Sequence, residues 1–449
     1  MKDYVIRPFT GGTRRISVPP DKSISHRALM ISALCRGETR IERVLRSDDT
    51  AATLGCMRKL GVSVFEEGDA FIVRGSGKFF TPQEDPLTLF AGESGTTMRI
   101  LSGILAGQKF SSRFEAQTSL ENRPMNRIIV PLREMGADIR GVPRCVQRTG
   151  REEECPPLDI RSVGHLHGKS FRLPIASAQV KSALLLAGLY AEEATEVTEP
   201  APSRDHTERM LRLFGCGLQS RGTTVRGVPD ACLATPGFLR VPGDFSSAAF
   251  FLVLGLIVPG SRLVLKDVNV NPTRCGLLDV LRRMGARIRC EQVREEYEPV
   301  CDLVVETSSL RATVVEPGEI PQMIDEIPVL CVAAAFASGR TEIRGVSELK
   351  VKETDRVWSM VSNLDRAGVA IHDEDRERGE CSIVIEGKKK YRPARFESCF
   401  DHRTAMSLIV FASALEGESE IDDVRCIHKS FPEFIPLMEQ LRASTGAQE

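Results

Sequence analysis

Charge bias is the first thing this chain lacks: Lys and Arg number 60 against 61 Asp and Glu, a formal net charge of −1. That balance argues against a general binder of nucleic acid or of anionic membrane surface, so basic residues that matter must be gathered in a site. Long apolar runs are missing too. The two longest, AAFFLVLGLIV from Ala248 and IPVLCVAAAFA from Ile327, fall short of the ~20 residues a helical membrane span needs and read as buried helices. Thirteen cysteines are scattered with neither CxxC nor Cys/His ligand spacing, and read as reduced core thiols. No HExxH or comparable histidine spacing occurs, so metal catalysis is not expected. The opening MKDYVIRPF lacks the charged and apolar regions of a signal peptide, which sets the expectation of a cytoplasmic protein. What remains is ordinary globular composition, 42% hydrophobic and 27% charged over 449 residues, enough for two or three domains.

What is present is a repeat. A helix-like run of small and apolar residues, a short strand and a second, amphipathic run close on a glycine followed by β-formers. The closing signals are LGVSV at Gly61, MGADI at Gly136, FGCGL at Gly215, MGARI at Gly285 and AGVAI at Gly368. Their spacing is roughly 75 residues, longer than the usual solenoid period, so each pass is a small α/β unit. A sixth pass starts at FDHRTAMSL and runs to the C-terminus.

Basic residues cluster where passes open. VPPDKSISHRALM places Pro19, Pro20 and Asp21 ahead of a helix whose first turn carries Lys22 and Ser23, with Arg27 four residues past Ser23. Helix N–H groups with Lys, Ser and Arg make an anion cradle, although a capped surface helix with solvated charges has the same pattern. In LKVKETDR, Lys352 and Arg356 are expected to share a helix face, where like charges need an anion or carboxylate between them. AGESGTTMR around Gly95 reads as a glycine loop entering a helix and able to approach a ligand closely; a plain turn and cap reads the same. Asp325 and Glu326 are expected to interrupt the apolar helix PQMIDEIPVLCVAAAFA, where a carboxylate without a partner would be costly. Glu353, between Lys352 and Asp355, is read either as a site acid or as part of a solvated face.

Taken together, DKSISHRALM, GESGTTMR, ENRPMNR, PGDFSSAAFF, LKVKETDR, FDHRTAM and HKSFPEF resemble, in order and spacing and from end to end, the 5-enolpyruvylshikimate-3-phosphate synthases. The resemblance implies an inside-out α/β fold of six βαβαββ repeats in two three-repeat domains. Residues 21–240 would form one, carrying most of the shikimate 3-phosphate site, and 1–20 with 241–449 the other, carrying Asp325, Lys352, Glu353, Arg356 and Arg403. SAQVK (177–181), RDHTE (204–208) and NPTR (271–274) resemble signatures of the class II branch, whereas PDKS departs from that branch's GDKS. Glu93, Ala178 and Glu348 depart from the class I pattern.

The family's chemistry joins two phosphates and two carboxylates, which converging Lys and Arg would hold. By resemblance, Lys22, Ser23, Arg27, Ser177, Ala178, Gln179, Arg204, Asp325 and Lys352 bind shikimate 3-phosphate. Lys22, Gly95, Arg123, Gln179, Arg356, Arg403 and Lys429 bind phosphoenolpyruvate. Asp325 is expected to be the base at the attacking hydroxyl, with Glu353 and Lys22 handling the proton at C3. The resemblance implies no cofactor and no metal, glyphosate as a candidate inhibitor at the phosphoenolpyruvate site, a monomer, and no nucleic-acid or membrane partner. The related UDP-N-acetylglucosamine enolpyruvyl transferases usually carry a Cys on the loop matching TSLENRPM, which has none here. A non-enzymatic anion binder would have no need of Asp325 and Glu353 together, and the RNA 3′-phosphate cyclases' nucleotide-linking His finds no matching context.

Overall fold

Each of the five closing glycines stands in the left-handed region, with φ between 83° and 96° at Gly61, Gly136, Gly215, Gly285 and Gly368. A Cβ is strained there, and glycine is not. Each ends an amphipathic helix in the same way: the glycine N–H and the following N–H turn back onto the last carbonyls, as in Gly61 to Arg58 and Val62 to Met57, both 3.0 Å. This double closure satisfies carbonyls that a helix end leaves open. The repeat is therefore a repeat of helix stops.

The computed structural model describes residues 3–146, 151–229, 231–376, 380–388 and 390–443. The chain forms two compact units, Pro20–Val241 and Met1–Pro19 with Pro242–Glu449. The first holds α1 (Lys22–Leu34), α2 (Asp48–Lys59), α3 (Gly95–Leu105), α4 (Asn126–Glu134), α5 (Ala178–Ala187) and α6 (His206–Leu213). The second holds α7 (Phe245–Ile257), α8 (Gly276–Arg283), α9 (Ile327–Ala335), α10 (Arg356–Arg366), α11 (His402–Ser413) and α12 (Phe434–Ala443). The odd-numbered helix of each repeat is apolar or small-residue on nearly every side and is buried; α9 and α11 are buried along their whole lengths. The even-numbered one is amphipathic and keeps a wet face. Helices that are apolar all round must lie inside, so α7, α9 and α11 pack on one another, α3 packs on α1 and α5, and the sheets flank them.

Every four-stranded sheet uses one order. In the first repeat Phe238–Arg240 runs parallel to Arg36–Glu42, which pairs antiparallel with Ala70–Ser76, itself antiparallel to Ser63–Glu67. Phe238–Arg240 comes from the far end of its unit and so closes it. In the other unit Gly12–Ser17 plays that part beside Ser261–Asn269. The sixth sheet has three strands among the described residues, and Tyr4–Ile6 supplies the strand antiparallel to Ser419–Ile421.

Three expectations need correction. Lys352 and Arg356 do not share a helix: Ser347–Val351 is a 3-10 turn ending before Lys352, and α10 begins at Arg356 behind the cap Asp355. Asp325 and Glu326 do not interrupt a helix but precede α9, with Glu326 at its cap position and Pro328 in its first turn, where a missing N–H costs nothing. The cysteines are not all core residues. Cys145, Cys232 and Cys290 are exposed, and Cys399 and Cys426 half-buried. No described helix is long and apolar enough to cross a membrane.

Candidate active site

In the Pro20–Val241 unit the side chain of Asp21 caps α1 by accepting from the Ile24 N–H at 2.9 Å. This leaves Lys22 in the first turn, paired with Asp49 of α2 at 3.0 Å. Arg27, one turn on, is buried. It donates to Thr207 Oγ1 at 2.7 Å, Ser182 Oγ at 2.8 Å and the Ser23 carbonyl at 3.0 Å. Those bonds tie α1 to the SAQVK helix α5 and to the RDHTE segment opening α6.

The glycine loop is held by a buried relay. His26 Nδ1 meets Thr53 Oγ1 at 2.7 Å, Thr53 meets Thr97 Oγ1 at 2.7 Å, and Thr97 donates to Ser94 Oγ at 2.7 Å, the cap of α3. With Thr97 donating onward, Thr53 must donate to Thr97, and His26 supplies an Nδ1–H to Thr53. Burial pushes the His26 imidazole down to about 3, so it is neutral at working pH. The relay sets Gly95, first residue of α3, against two guanidinium groups: a methyl there would stand 3.2 Å from Arg99 Nη1 and 3.3 Å from Arg123 Nη1. Arg99 donates to Gln179 Oε1 at 2.8 Å, and Gln179 donates to Thr96 Oγ1 at 3.0 Å. Gly95, Arg123 and Gln179 are thus brought together.

Ser177 caps α5, its own N–H bonding Glu199 at 2.8 Å; Ala178 is the first helical residue, and its methyl can offer no hydrogen bond. Behind them the Lys181 ammonium is buried between Glu199 at 2.6 Å and Glu208 at 2.9 Å. Burial alone would lower it, but Glu208 and Glu199 raise it above its ordinary value. One buried ion network therefore joins SAQVK to RDHTE and flanks Arg204, which is partly buried beside Ser203.

In the other unit Arg356 is 2% exposed and caged by carboxylates: Asp401 at 2.9 Å, Glu353 at 2.8 Å and Asp325 at 3.4 Å. Burial opposes its charge, and Asp401, Glu353 and Asp325 reverse that effect and hold it protonated. Burial also lowers Lys352, against the pull of Asp325. Asp401 caps α11 through the Arg403 and Thr404 N–H groups, at 2.8 and 3.0 Å. Buried Arg403 lies 3.9 Å from Glu326, which accepts the Ser246 hydroxyl. Ser246 in turn takes a bond from Arg274 of NPTR at 2.6 Å, and Arg274 also pairs with Asp244 at 2.9 Å. Lys429, partly buried, ends the 3-10 turn Arg425–Lys429. Asp325, Glu353, Arg356 and Arg403 thus form one cluster within their unit.

Sequence reasoning missed the residues that hold the others: Asp49, Thr53, Arg99, Glu199 and Asp401. Asp401 was signalled, as a helix cap in FDHRTAM. Asp49 and Glu199 carry little local signal, because the lysines they pair with lie 27 and 18 residues away.

Residues 10–438 match the family model described as EPSP synthase (3-phosphoshikimate 1-carboxyvinyltransferase). The 3-phosphoshikimate 1-carboxyvinyltransferase of Desulforudis audaxviator is 47% identical over 97% of this chain and 99% of its own, and that of Geotalea uraniireducens 44% over 98% and 99%. The chain belongs to the EPSP synthase family. Among solved structures, the EPSP synthase of Acinetobacter baumannii aligns over 98% of both chains at 38% identity with a TM-score of 0.85, and it carries the family's two-domain inside-out α/β fold. The enolpyruvyl transferase NikO of Streptomyces tendae, 16% identical with a TM-score of 0.75, shares the fold.

Proposed function

We propose that this protein transfers the enolpyruvyl group of phosphoenolpyruvate to the 5-hydroxyl of shikimate 3-phosphate and releases phosphate, a step of chorismate and aromatic amino-acid biosynthesis. The carboxylate cage around Arg356 carries the reading: it presents two partly exposed acids, Asp325 and Glu353, beside a buried cation. A binding module for anions has no use for such acids.

In this reading the 5-hydroxyl, giving its proton to Asp325, attacks C2 of the enol phosphate while C3 takes a proton, with Glu353 and Lys22 handling it. The tetrahedral intermediate then loses the C3 proton and expels phosphate, restoring the double bond. Shikimate 3-phosphate is held by Lys22, Ser23, Arg27, Ser177, Gln179, Arg204, Asp325 and Lys352, with Ala178 in contact only through its backbone and methyl. Phosphoenolpyruvate is held by Lys22, Gly95, Arg123, Gln179, Arg356, Arg403 and Lys429. The partial burial of Lys352, which pulls its ammonium below its ordinary value, supports this assignment, because a desolvated ammonium gains from a bound anion. Residues 21–240 contribute most of the shikimate 3-phosphate contacts, and 1–20 with 241–449 contribute Asp325, Lys352, Glu353, Arg356 and Arg403. The reaction needs no cofactor or metal, the protein acts as a cytoplasmic monomer, and glyphosate competes at the phosphoenolpyruvate site.

Phosphate release measured with both substrates tests the reading. Turnover that requires both is expected; release from phosphoenolpyruvate without shikimate 3-phosphate, or none at all, would overturn it.

A further inference from the structure

We propose that Cys290 and Cys301 form an oxidation site, at which a peroxide attacks the Cys290 sulfur and Cys301 resolves the product into an intrachain disulfide. Nothing in the transferase chemistry uses either residue.

The placement of the two sulfurs carries the argument. Arg287–Glu295 is the edge strand of its sheet and pairs antiparallel with Pro299–Glu306, with Cys290 opposite Leu303. Side chains alternate along a strand, so Cys301, two residues from Leu303, shares the face of Cys290 as its diagonal neighbour. Between them the register breaks after Glu291, where Gln292 takes φ 51°. Two residues there oppose one, which bends the edge strand locally. Cys290 is exposed and Cys301 fully buried.

Cys290 has a bond to a cationic side chain, unlike the six thiols that are bonded to carbonyls. Cys35, Cys56, Cys275, Cys381, Cys399 and Cys426 each donate to a main-chain carbonyl. The Cys290 sulfur instead accepts from Arg282 Nη2 at 3.5 Å. Acceptance from a guanidinium stabilises the thiolate, the form that reacts. The Cys301 bond, opposed by burial and aided by the Arg282 charge, pulls Cys290 down to about 6 and pushes Cys301 up. The other ionisable groups around the pair are Asp279 beside Arg282, Cys275 and Asp302.

The chemistry balances with hydrogen peroxide as the oxidant. The Cys290 thiolate attacks one peroxide oxygen, forming S–O and breaking O–O, and hydroxide leaves and takes up a proton as water. Cys301 then attacks the sulfenyl sulfur, forming S–S and breaking S–O, and its thiol proton leaves with the second hydroxide as water. Two thiols and one peroxide give one disulfide and two waters.

Iodoacetamide labelling of the intact protein at pH 6, read by peptide mass spectrometry, tests the first half. At that pH a thiol of pKa near 6 is about half ionised and an ordinary one barely so. After allowing for the weaker nucleophilicity of the more acidic thiol, Cys290 should label about tenfold faster than exposed Cys145 or Cys232, an advantage that Arg282→Leu reduces. Peroxide treatment tests the second half. The expected product is one disulfide joining the Cys290 and Cys301 peptides, and Cys301→Ala should instead leave a sulfenic acid on Cys290 that dimedone traps. Equal labelling of the three exposed thiols, or a peroxide product on Cys275, Cys145 or Cys232 in place of the Cys290–Cys301 link, would overturn the proposal.

Discussion

In the Pro20–Val241 unit a buried arginine, Arg27, is fixed by two hydroxyls and a carbonyl, whereas in the other unit a buried arginine, Arg356, is fixed by three carboxylates. The Thr207 and Ser182 hydroxyls and the Ser23 carbonyl orient the Arg27 guanidinium without cancelling its charge, which suits it to an anionic ligand. Carboxylates offset part of the charge and are themselves oriented, so the second arrangement can hold an anion while positioning acids that move protons. Charge caging is not confined to one unit, since Lys181 lies between Glu199 and Glu208. It is the residues assigned to substrate that differ.

The largest expected effect separates the two arginines by stability. Arg356→Met leaves Asp401, Glu353 and Asp325 without their buried cation and should cost about 3–5 kcal/mol. Arg27→Met strands the Thr207 and Ser182 hydroxyls and the Ser23 carbonyl, at about 1–3 kcal/mol, and should lose shikimate 3-phosphate affinity instead. Denaturant unfolding of both variants measures this, and equal losses would erase the contrast. Next in size, Asp325→Asn keeps shape and hydrogen-bonding atoms but removes the base. Turnover should fall about 10²-fold or more, with shikimate 3-phosphate binding retained by calorimetry because Asn keeps the hydrogen-bonding atoms; a loss of binding with turnover kept would confine Asp325 to holding shikimate 3-phosphate.

The neutral network has its own weakness, which is acid. His26 ionises near 6.5 when unfolded but only near 3 when folded, so the unfolded state binds the extra proton first. Stability is intact above pH 6.5 and falls with pH below it, by about 1.4 kcal/mol per unit until about pH 3. His26→Asn retains a donor for Thr53 and cannot protonate, so it should flatten this acid limb in thermal melts taken between pH 6.5 and 4. Unchanged pH dependence would mean that His26 takes up a proton inside the fold. The smallest effect is at Gly95. Gly95→Ala puts a methyl within 3.3 Å of Arg123 Nη1, and should weaken glyphosate more than phosphoenolpyruvate. Inhibition and Michaelis constants for the two forms give that ratio; no change in it would mean that Gly95 does not face the ligand.

Much was legible where the signal is local. Gly61, Gly136, Gly215, Gly285 and Gly368 announce helix stops because only glycine takes that backbone conformation without strain. The apolar runs from Ala248 and Ile327 announce buried helices because no wet face is available to them. Asp21, Ser94 and Asp401 sit at helix starts as caps. LKVKETDR failed as one helix because its spacing suits a helix face equally well with or without a break, and the cap at Asp355 decides the matter. The closing strands Phe238–Arg240 and Gly12–Ser17 were equally hidden, since a strand's text says nothing of a partner more than 190 residues away.

By itself, then, the sequence determined the helix stops, the buried helices and the types of residue that chemistry with anions requires, all consequences of backbone conformation and side-chain character within a few residues. Only the tertiary structure decided which charge faces which. Arg356 meets Asp325 from 31 residues away and Asp401 from 45, and Arg27 meets Ser182 from 155. Pairings at such distances depend on chain closure and packing, and those leave no mark in the local pattern.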